Sequence, residues 1–204
     1  MKKRTKRILA ILGVIAILWT GLTFIVEFTG PEKIAVFGEA SEAKEALVVY
    51  DPDPIYNLDE QVCQSFAKGL VKKGWNVKVA TVAAANKLPE QQFDLYVFCA
   101  NTYNWAPDWS ITKFVKKLGL EGKSVAAITL GSGSTKKSKS VFENMIKDQG
   151  ANLLDSKTYW LMRPNDESRM EESNIKVALE MANDFGKEIA QRIESISNQV
   201  KSLK

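Results

Sequence analysis

The apolar and polar positions of residues 46–74 follow a strand, loop and helix in succession. Residues 47–50 are a short apolar, β-branched run of the kind that forms a buried strand. Two prolines within residues 51–54 exclude a continuing central strand, because each lacks a backbone donor. Apolar residues then recur at the spacing of a helix that ends at Gly74: Val62, Phe66, Ala67 and Leu70. The unit predicts the first half of a parallel α/β sheet.

Strand and helix patterns alternate along the rest of the chain. Five strands separated by helices predict a doubly wound, five-stranded parallel α/β sheet. Ligands of such sheets bind outside the carboxyl ends of the strands, so the loop at residues 51–58 is expected at the functional site. The later strands are predicted at 76–80, 95–100, 124–130 and 152–160, and the later helices from Ser110, around 141–146 and over 171–196.

The N-terminal pattern differs, because residues 8–26 form an uncharged apolar run of 19 residues. A helix that crosses a bilayer needs about 20 such residues. A cleaved signal peptide is the alternative, but its apolar core is usually only ~7–15 residues, and residues 28–32 make a poor cleavage site. We therefore expect a single-pass transmembrane anchor at 8–26. The basic segment 1–7 predicts a cytoplasmic N-terminus and a domain outside the cytoplasm.

Residues 27–45 have the composition of a linker, rich in Glu and Ala. Its one apolar patch, residues 34–37, is compatible with a short edge strand or with contact to the membrane surface. The folded domain is expected to span 46–196, followed by a tail at 197–204.

Charge and composition exclude several classes of function. Five of the 28 basic residues precede the apolar run, so the remaining 23 face 24 acidic residues, a net charge of −1. This balance argues against nucleic acid as a partner. The chain has no histidine, and two cysteines are too few for a zinc site. We expect Cys63 and Cys99 to be separately buried thiols, with a disulfide as the alternative outside the cytoplasm.

The stretch FDLYVFCANTYNWAPDWSITKFVKKLGLEGKSVAAITLGSGS at 93–134 resembles the middle of a flavodoxin-family domain. The closing stretch DFGKEIAQRI resembles the last helix of that family, so the similarity covers about residues 46–193. The resemblance implies a strand order of 2-1-3-4-5 and FMN as cofactor. The residues that follow the family order are Asp94, Tyr103, Trp105, Pro107, Phe114, Gly122, Lys123 and Gly131.

The same resemblance implies which residues flank the isoalloxazine ring of a flavin. Aromatic side chains stack on a flat ring, and glycines let backbone N–H groups approach it. Alternatively, one of Tyr103 and Trp105 packs into the next helix and the other lies on the surface. The predicted cofactor-binding residues are Asn101, Thr102, Tyr103, Asn104, Trp105, Gly131, Ser132, Gly133 and Ser134, with Tyr56 and Asn57 from the first loop.

The first loop departs from the family pattern, in which a Ser/Thr-x-Thr-Gly-Asn-Thr segment binds the FMN phosphate. Here the loop reads DPDPIYNLDE, whose prolines have no N–H and whose acids repel a dianion. Asn57 falls where the family has the glycine. Asp59 falls at a threonine position and is interpreted as a helix N-cap. A weak contact with phosphate is therefore expected.

These patterns favour FMN-dependent electron transfer by a membrane-anchored flavodoxin-like protein, with the bilayer and a redox or protein partner as its contacts. The alternative is a flavin-free module for binding or assembly at the membrane. A distant third is an aspartate-based phosphatase, because Asp51-x-Asp53 is similar to the first motif of HAD-type phosphatases. We expect these two acids to be solvated turn residues instead.

Overall fold

The computed structural model describes residues 3–39, 43–89 and 92–202. The N-terminal helix α1, Lys3–Val26, has no buried residue, and its mean hydropathy reaches 2.5 over 18 residues. By length and composition it can cross a membrane. Its orientation stays a prediction.

The remaining elements alternate strands and helices around one sheet. In chain order they are β1 (Ile34–Phe37), β2 (Glu45–Tyr50), α2 (Leu58–Val71), β3 (Asn76–Thr81), α3 (Val82–Ala85), β4 (Leu95–Tyr103), β5 (Ala106–Pro107), α4 (Trp109–Lys117), β6 (Ser124–Gly131), α5 (Lys136–Asp148), β7 (Asn152–Trp160), a 3₁₀ turn (Glu167–Arg169) and α6 (Asn174–Ser202).

The sheet has seven strands rather than the five predicted. Five parallel strands run in the order β3-β2-β4-β6-β7, which confirms the predicted order 2-1-3-4-5. The first extra strand, β1, lies antiparallel on the edge of β3, with Ile34 opposite Ala80, which confirms the edge-strand alternative for the patch at 34–37. The second, β5, is only two residues long and folds back on the end of β4. Neither is long enough to give a clear periodic signal.

The core is divided by the sheet, because alternate residues of a strand point to opposite faces. On one face Val48 and Tyr50 pack with α2 and α6. On the other, Leu47 and Val49 pack with α4 and α5. Both cysteines are free, buried thiols within the first of these clusters.

Two helix boundaries differ from those predicted. Helix α4 begins at Trp109 rather than Ser110, because Asp108 caps it by accepting a hydrogen bond from the Ile111 N–H at 2.8 Å. Helix α6 begins three residues later than predicted and continues to Ser202, through most of the segment expected to be a tail.

Helices α2 and α6 cross at Gly69 and Gly186, where their backbones approach closely. A Cβ added at Gly69 would lie 2.0 Å from the Asn183 carbonyl oxygen, and one at Gly186 would lie 2.2 Å from the Phe66 carbonyl oxygen. Both neighbours are backbone atoms, so the helices would have to separate to admit a methyl group.

We therefore expect Gly69→Ala to lower the free energy of unfolding by about 1–3 kcal/mol, as overpacking usually does. Gly119→Ala is the control, because nothing lies within 4 Å of its added Cβ. Urea unfolding of the detergent-solubilised chain measures both. Equal midpoints for the two variants would contradict the close helix contact.

Candidate functional site

A cavity of about 200 Å³ lies at the carboxyl ends of β2, β4 and β6, which we call the carboxyl edge of the sheet. Its volume is below the ~300–1,000 Å³ of typical ligand clefts. Six predicted site residues line it: Tyr56, Asn101, Thr102, Tyr103, Gly131 and Ser132. The structure thus brings the first loop together with the loops after β4 and β6.

The other five predicted residues lie outside the lining of this cavity. Asn104 and Trp105 form the turn between β4 and β5 with positive φ angles of 50° and 61°, uncommon for residues with a side chain. Trp105 is 57% exposed. Asn57 is exposed and precedes α2 with a φ of −108°, so it does not adopt the left-handed conformation of a glycine. Gly133 and Ser134 continue the loop after β6. A ligand-binding role for all five stays a prediction.

Asp53 organises the first loop, and sequence reasoning did not include it among the site residues. Its Oδ1 accepts hydrogen bonds from the backbone N–H groups of Ile55 at 2.7 Å and Tyr56 at 2.9 Å. Its Oδ2 accepts the hydroxyl of Tyr103 at 2.5 Å. The carboxylate therefore binds the loop's own donors and fixes one wall of the cavity.

Asp59 also faces the cavity, and the interpretation of it as a helix N-cap is wrong. Asn57 holds the N-cap position, and Asp59 lies in the first turn of α2. Its Oδ2 accepts the N–H of Asp53 at 2.6 Å and the side-chain amide of Asn101 at 3.0 Å. Burial raises the pKa of Asp59 to about 6, although these hydrogen bonds and one from Glu60 oppose the shift.

The phosphate half of FMN does not fit this loop. The backbone donors of Ile55 and Tyr56 are bound to Asp53, and Pro52 and Pro54 have none to offer. An added phosphate would also face the carboxylate of Asp53.

A flat, uncharged ring fits better, because the aromatic side chains of Tyr56 and Tyr103 line the cavity. The Oγ1 of Thr102 is buried and has no hydrogen-bond partner among the described residues. At Gly131 an added Cβ would lie 2.6 Å from Thr135 Cγ2 and 3.2 Å from Thr102 Cβ, so these two side chains leave no room for a larger residue. Gly131 and Thr102 line the cavity together with Tyr56 and Tyr103.

A second group of acids is buried beside the cavity, and Asp51 is not the solvated turn residue that was expected. Asp51 is 4% exposed and accepts the Gly30 N–H at 3.0 Å. Asp108 accepts the Asn101 N–H at 2.9 Å in addition to capping α4. Glu27 accepts the Trp109 N–H at 2.6 Å. Burial raises the pKa of all three carboxyls.

These acids bind backbone donors of the chain itself. In the ranges 3–39, 43–89 and 92–202, no group of three or more His, Cys, Asp or Glu residues is arranged to hold a metal ion. Asp51 accepts the Gly30 N–H, whereas Asp53 accepts the Ile55 N–H and the Tyr103 hydroxyl, so the two carboxylates have separate partners.

We expect Asp59 to make the domain less stable as pH rises. A folded pKa of about 6, above the usual 3.8, means that its stabilising effect is complete below pH 3.8 and is lost as pH rises through 6. The shift corresponds to about 3 kcal/mol. The unfolding free energy should fall between pH 4 and 7, and Asp59→Asn should reduce this fall by roughly 3 kcal/mol. The part of the fall that is due to the other buried acids should remain in the variant.

Denaturant unfolding at a series of pH values measures this effect. Asp148→Asn is the control, because Asp148 is exposed at the end of α5 and should leave the pH slope unchanged. If the unfolding free energy of Asp59→Asn changed with pH as steeply as that of the original chain, the raised pKa of Asp59 would be contradicted.

Comparison with known proteins identifies the fold. No protein-family model and no curated protein matches the sequence. A flavodoxin from the domain Archaea has a TM-score of 0.57 at 14% identity, over 74% of this chain and 99% of its own. A WrbA-like flavodoxin from Agrobacterium tumefaciens has a TM-score of 0.56 at 16% identity, over 75% and 99%. The flavodiiron protein from Giardia intestinalis has a TM-score of 0.56 at 14% identity, over 77% of this chain but 37% of its own. The sheet order and these neighbours together show that the chain carries a flavodoxin-like domain.

Proposed function

We propose that this chain is a membrane-anchored electron-transfer protein whose cavity binds the ring system of a flavin without a firm contact to phosphate. The observation that carries the proposal is the cavity at the carboxyl edge of a flavodoxin-like sheet, lined by Tyr56, Tyr103 and Gly131. The structural neighbours are flavodoxins and flavodiiron proteins, which supports a redox role. A bound flavin ring would supply reversible electron acceptance.

The chain's own residues would position and shield such a ring. Asp53 fixes the hydroxyl of Tyr103, and burial together with this hydrogen bond raises the pKa of Tyr103, so the phenol stays neutral. Gly131 contributes only backbone atoms to the cavity lining, so a ring could approach its backbone closely.

A second function, a flavin-free binding or assembly module, is favoured by one specific observation. The position that would receive the phosphate is occupied by the Asp53 carboxylate, and the cavity measures only about 200 Å³. The two functions differ in whether the purified chain binds a flavin at all.

Flavin titration of the detergent-solubilised chain tests both functions. We expect riboflavin to bind at least as tightly as FMN, because the phosphate gains no donor and meets Asp53. Asp53→Asn should improve FMN binding relative to riboflavin, since it removes the like charge. Quenching of flavin fluorescence measures each affinity, with Asp148→Asn as the matched control.

FMN binding tighter than riboflavin by ~100-fold, or ~2.7 kcal/mol, would contradict the occupied phosphate position. Binding of neither flavin, and no visible flavin absorbance after purification, would favour the second function.

The topology proposed for the chain places the N-terminus in the cytoplasm and the domain outside, on the strength of the basic residues before the apolar run. Protease added to intact cells whose outer surface is accessible should then digest the domain. A domain that resists digestion until the cells are lysed would contradict this orientation.

A further inference from the structure

The last turn of α1 contacts the turn that follows β4, next to the cavity. The side-chain amide of Asn104 donates a hydrogen bond to Thr23 Oγ1 at 3.2 Å. The ring of Phe24 lies edge-on to that of Trp109, with centroids 6.1 Å apart. The end of the predicted membrane span is therefore placed against the carboxyl edge of the sheet.

Residues 27–30, directly after α1, extend this contact. Glu27 is 8% exposed and accepts the N–H of Trp109 at 2.6 Å. The hydroxyls of Thr29 and Ser110 lie 2.8 Å apart, and the Gly30 N–H donates to Asp51. Three successive hydrogen bonds to the domain make this segment a fixed joint rather than a flexible tether.

The carboxyl edge also exposes large apolar side chains around the cavity mouth. Phe28 is 78% exposed in the joint, Ile55 is 59% exposed in the first loop, and Met162 is 79% exposed after β7. Trp105 is similarly exposed after β4. The loops at the opposite edge, residues 72–76, 119–123 and 148–151, expose no large apolar side chain.

Basic side chains accompany these apolar ones. Lys113 is exposed in the second turn of α4, and Lys136 and Lys137 are exposed at the start of α5. Neither helix has an acidic residue in its first turn. Arg163 is exposed beside Met162. Aromatic and basic side chains on one surface suit the boundary of a bilayer with anionic headgroups.

We propose that the carboxyl edge of the sheet rests on the headgroup region of the bilayer that α1 spans, with the cavity mouth facing the lipid. The inference depends on the membrane anchoring proposed above, but not on flavin binding. The fixed joint determines which edge faces the membrane, and the apolar and basic side chains supply the contact. Ligands or electron carriers dissolved in the bilayer would then have direct access to the cavity.

Site-directed labelling of the full-length chain in vesicles of phosphatidylcholine and phosphatidylglycerol tests this orientation. Single cysteines carrying an environment-sensitive fluorophore are introduced as Ile55→Cys and Met162→Cys at the carboxyl edge. Lys73→Cys and Glu121→Cys provide matched exposed positions at the opposite edge, and Ala16→Cys reports on α1 itself. The native thiols are buried and should remain unlabelled. Lipids with a quencher in the upper acyl chain are then added.

We expect the labels at positions 55 and 162 to show blue-shifted emission and to be quenched by the lipid quencher. The labels at positions 73 and 121 should show neither the blue shift nor the quenching. Equal quenching at both edges would overturn the proposal. Blue-shifted labels at Ile55 and Met162 without lipid quenching would also overturn it, and would assign the edge to a protein partner or a second copy. Failure of the Ala16 label to be quenched would refute the anchoring itself.

Discussion

The Asp53 carboxylate is the contact on which the arrangement of the cavity depends. It accepts two backbone N–H groups from its own loop and the hydroxyl of Tyr103 from β4, so it joins two strands at the carboxyl edge. The first loop has few backbone N–H donors, because two of its residues are prolines. The Asp53 side chain accepts the N–H groups of Ile55 and Tyr56, which would otherwise be free to bind an anionic ligand. The first loop therefore offers no free backbone donor at Ile55 or Tyr56 and places a carboxylate at the carboxyl edge of the sheet.

Buried acids connect the rest of this edge. Asp51, Asp59, Asp108 and Glu27 each accept backbone N–H groups from loops or helix starts, which leaves these donors satisfied away from water. Burying the charge is unfavourable, and the raised pKa values are the consequence. Hydrogen bonds of this kind join the first loop, the start of α4 and the segment after α1 into one unit.

The sequence predicted the fold further than it predicted the site. Alternating apolar strands and helices predicted the doubly wound parallel sheet, whereas the order of its five strands came from the resemblance to the flavodoxin family. Strands β1 and β5 were harder to predict from the sequence, because β1 has only four residues and β5 has only two, one of which is Pro107. Site residues at the strand ends, such as Tyr103 and Gly131, came from family resemblance, whereas the role of Asp53 and Asp51 depends on hydrogen-bond partners that include distant residues. The partner of Asp51 is Gly30, 21 residues away, and no local pattern predicts such a pairing.

Two of the buried acids also fix the position of the domain relative to α1, because they form hydrogen bonds between the joint and the domain. Asp51 follows β2 and binds Gly30, while Asn104 follows β4 and binds Thr23, so both loops beside the cavity contact the end of the helix. A domain tied at these two loops cannot rotate about α1 without breaking hydrogen bonds beside the cavity. The position of the cavity relative to the helix axis is thus set by contacts in the loops that flank it. The hydrogen bonds that orient the domain on α1 therefore also hold the two loops beside the cavity in place.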